Sequence, residues 1–187
     1  MKTQIDGLWQ ENRWLKCINL QNLQFCNLIL AGIAAVALHA QFHLPLRIPG
    51  HHGIEWMGIL IFARCLSPLP GAASLVALSA AASSLIPVWG FHENGAVLGY
   101  LLSGILVDFA YRYAWVRNHL AALAILGALA YVSKPLLQWG LALGFGVKYN
   151  SLSHGIANVL ANHFMFGVIG ALTGGLAARV TRKVYQR

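Results

Sequence analysis

Six apolar runs, most of them close to the length of a bilayer-crossing helix, leave this chain few ways to fold. They cover about residues 23–40, 53–66, 71–89, 95–113, 119–140 and 154–178. The hydrocarbon core of a membrane is about 30 Å thick and takes roughly 20 apolar residues of helix to cross. Inside it each backbone N–H and C=O needs a partner, and a helix supplies one within the segment itself. The second run is short and is expected to be tilted or partly re-entrant. Composition agrees: 10% of residues are charged, against about 25% in soluble domains. The expected fold is an all-α integral membrane protein. A six-transmembrane-helix bundle over residues 23–187 follows a polar, amphipathic cytoplasmic segment at 1–22.

A net charge of +8 could suggest nucleic acid as a partner. The basic residues, however, sit at the ends of apolar runs, which is a membrane-topology pattern and excludes nucleic acid from the expected partners. With the N-terminus in the cytoplasm, Lys2, Arg13, Lys16, Arg64, Arg112, Arg117, Arg179, Arg182, Lys183 and Arg187 all fall inside. Arg47 and Lys148 fall outside, and Lys134 lies near the outer half of the fifth run. Both termini are therefore expected inside, in a multi-pass protein of the cell inner membrane. The first 22 residues have no apolar core and no small-residue cleavage site, so no removable signal peptide is expected. Trp9, Trp14 and Leu15 alternate there with charged groups. They suit either an interfacial helix against lipid or a polar tail. Cys17, Cys26 and Cys65 have no metal-type spacing and read as free thiols or small buried residues.

On this topology His39, His43, His51, His52, His92, His154, Glu55 and Glu93 gather at the outer face. The stretch "LRIPGHHGIEW" holds the densest group, with Arg47, His51, His52 and Glu55 around a Pro-Gly turn. Polar groups at membrane depth usually face a wet cavity or the bundle interior. Imidazoles suit cobalt, nickel, zinc or copper, which makes His51, His52 and His154 the candidates for a metal. Adjacent histidines are no specific ligand spacing, and no HExxH helix is present. In the sixth run His154, Asn158 and Asn162 recur every four residues and share one helix face. That face reads as a substrate lining or as interhelical hydrogen bonding. Lys134, just before Pro135, reads as a ligand for an anion or as a residue snorkelling to the interface. Asp108 and Arg112 have the spacing of an i,i+4 helix pair. Gly167, Gly170, Gly174 and Ala178 form a small-residue face suited to close packing.

No phosphate-binding Walker loop, GxSxG or CxxC is present, and the chain is expected to be neither an enzyme nor a holder of a cofactor. The rival readings are a histidine-dependent membrane enzyme using Glu55 or Glu93, and a structural membrane protein. "LAGIAAVALHA", with Ala31 and Ala35 in AxxxA spacing, is joined by "FARCLSPLPGAASLVALSAAASSLIP", "GAVLGYLLSGILVDFAYR" and "GVIGALTGGLAARVTRKV". Across residues 23–183 the chain resembles the S-components, the substrate-binding membrane subunits of energy-coupling factor transporters. The resemblance implies uptake of a small vitamin-like molecule or a transition-metal ion of the cobalt or nickel type, bound at the outer face. It implies that residues 41–53 act as a lid. His43, Arg47, His51, His52, Glu55, His92, Lys134, His154, Asn158 and Asn162 are the expected substrate contacts. Ala31 and Ala35 would touch a transmembrane coupling subunit, which works with two cytoplasmic ATPases. The nickel and cobalt branch of that family has a histidine directly after the initiating Met, where this chain has Lys2.

Overall fold

Nothing from residue 2 to residue 41 stops a helix: the stretch contains no proline, and its only glycines are Gly7 and Gly32. It forms one helix, α1 (Lys2–Gln41), with no break at residue 22. The computed structural model describes residues 2–41, 48–87, 96–149, 152–153 and 155–185. The other helices are α2 (Gly53–Leu66), α3 (Ala72–Ser84), α4 (Ala96–Ala110), α5 (Ala114–Asn118), α6 (Leu120–Phe145) and α7 (Ile156–Tyr185), and no strand occurs among the described residues. α3 stops short of Pro87, whose ring fits poorly after a continuing helix. α6 runs past Gly140, its expected end, to Gly146, whose φ of +67° closes the helix in the left-handed conformation that glycine adopts without strain.

Three of these helices are long and apolar enough to cross a membrane, over Gln21–Gln41, Leu120–Phe145 and Ile156–Val184. This is the make-up of a membrane protein. α2, α3 and α4 have 14, 13 and 15 residues, and at 1.5 Å per residue they reach only about 20 Å. Packing closes the six into a ring in the order α1, α3, α4, α6, α7, α2, with α5 against α6. α2 is deeply enclosed, with Met57, Leu60 and Ile61 fully buried. Large side chains such as Leu78, Leu98, Ile105 and Leu129 point outward and are about half exposed. An apolar exterior around a packed core suits a lipid solvent better than water.

The small-residue face of α7 is consumed within the chain. A Cβ on Gly170 would stand 2.4 Å from the Gly53 carbonyl oxygen, and one on Gly174 would stand 2.2 Å from that of Gly58. On the α6 side, a Cβ on Gly167 would meet Ala128 Cα at 2.8 Å. These positions let α7 lie directly on the backbone of α2 and α6. Gly32 does the same for α1, where a Cβ would meet the Val76 carbonyl oxygen at 2.3 Å. The Ser79 hydroxyl donates across this seam to the Ile29 carbonyl at 3.0 Å.

Asp108 does not pair with Arg112. Its Oδ1 stands 2.8 Å from Arg64 Nε, with both residues buried. The same carboxylate accepts the backbone N–H groups of Ala73 at 3.2 Å and Ser74 at 2.7 Å, which caps the start of α3. The Arg64 guanidinium lies 4.2 Å from the centre of the Tyr111 ring. Arg112 instead turns to the Phe109 ring. Arg182 donates to the Cys65 carbonyl, and Arg179 donates to that of Asn118 at 3.0 Å. One end of the bundle is thus tied together by arginines. Cys26 is exposed and Cys65 buried, and both are free thiols.

Candidate functional site

At the other end the chain enters α2 through Pro49, Gly50, His51 and His52. Gly50 has a φ of +89°, and a Cβ there would also meet His163 Nδ1 at 2.7 Å. A Cβ on Gly53 would overlap the Tyr131 ring at 2.3 Å. His163 from α7 and Tyr131 from α6 stack with ring centres 4.8 Å apart. The two glycines therefore let the loop press onto this ring pair, and the two histidines between them are held in place. Gly50→Ala is expected to cost about 1–2 kcal/mol through the left-handed backbone alone. A thermal unfolding curve of the purified variant measures it, and an unchanged midpoint would contradict the strained turn.

His51 Nδ1 donates to the Ile48 carbonyl at 2.8 Å. In the neutral ring this leaves the lone pair on Nε2, which is buried and has no hydrogen-bond partner among the described residues. The His52 ring lies between two others, 3.7 Å from His39 and 3.8 Å from His51 by ring centres. Glu55 is one turn further on, with Oε2 at 3.7 Å from His52 Nδ1. His39, in the last turn of α1, completes the group. One ligand atom each from His39, His52 and Glu55 lies within 4.8 Å of the others.

Beside these side chains is a cavity lined by His39, His52, Trp56, Gly99, Tyr100, Tyr131 and Lys134. Its free volume is about 10 Å³, and one water needs at least about 10–15 Å³. The lining is held firmly. Trp56 Nε1 donates to the Ser103 hydroxyl at 3.1 Å, and the Ser103 hydroxyl donates to the Tyr100 carbonyl at 2.8 Å. A Cβ on Gly99 would meet Lys134 Cγ at 2.7 Å, so glycine makes room for the lysine stem. Pro135 brings no N–H, so the Tyr131 carbonyl has no i+4 helix donor at the same depth.

Of the expected contacts, the structure brings His52, Glu55 and Lys134 to this region, with His51 beside them. Asn158 and Asn162 do share a face, but Asn158 is exposed, and the Asn162 amide donates to Asn158 Oδ1 at 3.3 Å. Neither lines the cavity. His43, Arg47, His92 and His154, and with them residues 42–47 of the expected lid at 41–53, lie outside the described residues. Ala35 is buried in the bundle. Ala31 is half-buried at a second cavity of about 290 Å³ between α1 and α2, lined by Leu28, Phe62 and Leu66 among others. Sequence reasoning placed His39 at the outer face without assigning it a contact, and it did not select Tyr131, His163 or Trp56. The signal for His39 was its place at the end of an apolar run, next to the loop that carries His51 and His52. Comparison with known protein families, with characterised proteins and with solved structures finds no match for this chain.

Proposed function

We propose that this chain is the substrate-binding membrane subunit of an uptake system and carries out no catalysis itself. In this reading it is a multi-pass inner-membrane protein with six spans and both termini in the cytoplasm. It takes a small cargo from the outer face, with residues 41–53 closing over the site. It then releases the cargo inward when docked on a transmembrane coupling subunit driven by two cytoplasmic ATPases, as the resemblance to S-components implies. One observation carries the reading. His39, His52, Glu55 and Lys134 converge inside an apolar bundle, at the end opposite the arginine-tied one. Such groups are costly at membrane depth and fit a cargo passage better than a structural seam. Lys134 and the aromatic walls suit an organic acid such as a vitamin, whereas the His and Glu donors suit a metal ion.

Ala31 is the docking position left open, since Ala35 is enclosed. The neighbouring cavity can accept an indole, so Ala31→Trp is expected to fold normally, retain cargo binding, and lose both the coupling subunit and uptake. Affinity capture of the chain co-expressed with its coupling partners, paired with uptake by the same cells, reads both effects. Full uptake by Ala31→Trp cells would place docking elsewhere. Uptake that proceeds without ATP would overturn the energy-coupled reading.

A further inference from the structure

We infer that His39, His52 and Glu55 form a binding site for a divalent transition-metal ion of the zinc, nickel and cobalt class. The donors come from two helices that approach only in the folded bundle. His39 is in the last turn of α1, and His52 and Glu55 flank the first turn of α2. Two imidazoles and a carboxylate form a three-donor set that these borderline ions take, with the fourth position left to water or another ligand. Calcium and magnesium prefer all-oxygen shells, and copper(I) prefers sulfur.

The spacing is near what an ion needs. Donors about 2.1 Å from a tetrahedral metal lie about 3.4 Å from one another. The three ligand atoms are within 4.8 Å of each other, so side-chain rotations of about 1 Å close the site with no movement of the helices. Glu55 Oε2 is buried and accepts no hydrogen bond among the described residues. A carboxylate oxygen in that state gains strongly from a cation. His51 stands beside this set and is not one of the three converging donors. Its Nδ1 is committed to a backbone carbonyl, and its buried Nε2 adjoins the His52 ring. The adjoining free volume of about 10 Å³ is no more than a single water or small ion takes. Organic ligands occupy sites of about 300–1,000 Å³. Lys134 lines the same cavity, and its charge favours an anionic exogenous ligand on the metal.

That the ion is cargo rests on the uptake reading above; that it binds does not. The test uses the full chain in detergent, carrying no polyhistidine tag, stripped with a chelator and titrated with Co²⁺, Ni²⁺ and Zn²⁺. Wild type is expected to bind one ion per chain, with cobalt giving the intense visible bands of a four- or five-coordinate site. Glu55→Gln and His39→Ala are each expected to lower affinity at least about 100-fold, because loss of even an outer-shell partner costs about 10–100-fold. His119→Ala, an exposed histidine at the arginine-tied end, is expected to bind as wild type does. Glu55→Gln is nearly isosteric, so it reads the site even if a histidine variant fails to fold. Binding by Glu55→Gln and His39→Ala equal to wild type, or no stoichiometric binding at all, would overturn the site. ATP-driven uptake of an organic cargo alongside absent metal binding would sink the metal site and leave the uptake reading standing. Stoichiometric binding, lost in Glu55→Gln, in cells whose metal accumulation does not depend on the chain would keep the site and remove the uptake reading.

Discussion

Gly170→Leu is expected to yield no monodisperse protein. The position has no room for even a methyl group. Its Cβ would stand 2.4 Å from the Gly53 carbonyl oxygen, 2.9 Å from that of Ile54 and 3.1 Å from Ile54 Cα. All three are backbone atoms, so no rotamer change relieves the overlap. Overpacking usually costs about 1–3 kcal/mol when side chains can yield, and this clash with rigid backbone is expected at or above the top of that range. α7 must therefore lift off α2, which opens the core around Met57, Leu60 and Ile61. Gel filtration of a fluorescent fusion in mild detergent reads the outcome as a shift of the peak to the void volume. Gly140→Leu serves as control, because no atom lies within 4 Å of a Cβ there, and its profile should match wild type. A normal profile for Gly170→Leu would mean that α7 does not rest on α2 as described. The milder Gly170→Ala connects fold to site. Its methyl group meets the same three backbone atoms, so it too is expected to destabilise the fold, by less than leucine does, and the backbone it pushes is that of Gly53 and Ile54, between His52 and Glu55.

Much of this architecture is legible in the sequence, because both hydropathy and glycine spacing are local signals. α2 falls on its expected bounds, 53–66, and the small-residue face of α7 packs inside the chain as its spacing suggests. The misreadings arise where a local pattern competes with a distant partner. Asp108 and Arg112 have ideal spacing for a helix pair, yet the short helices bring Arg64, 44 residues earlier in the chain, to the carboxylate. Burial decides between them, since Arg64 is enclosed and Arg112 exposed, and an exposed helix pair is worth only about 0.3–0.5 kcal/mol. Asn158 and Asn162 have the right periodicity, but periodicity does not say which way a face points. Near the start of α7 the pair satisfies one of its own hydrogen bonds outside the cavity. His39 and His52 are thirteen residues apart, with a turn between them, and no motif encodes their meeting. It follows from α1 and α2 packing side by side.

Asp108→Asn is expected to destabilise the protein by about 3–5 kcal/mol, the usual cost of leaving a buried charge without its partner. Ala73 and Ser74 donate to different carboxylate oxygens, so the amide keeps an acceptor for one of them and sets an NH2 donor against the other, and the loss combines the lost charge with part of the cap on α3. Arg64 would remain buried, with the Ser67 carbonyl at 3.2 Å and the Tyr111 ring as its other described partners. Neither a neutral carbonyl nor a ring face replaces a carboxylate at 2.8 Å. Adding Arg64→Met removes the orphaned charge and fills most of its volume, so the double variant should be more stable than Asp108→Asn alone. Replacing both members of a buried pair is often near neutral, whereas removing one is not. Thermal unfolding of the wild type, the two single variants and the double variant gives the coupling energy directly. Strictly additive losses would show that the pair does not act as a unit. Recovery in the double variant would show that this end of α2 is held by mutual neutralisation of two buried charges.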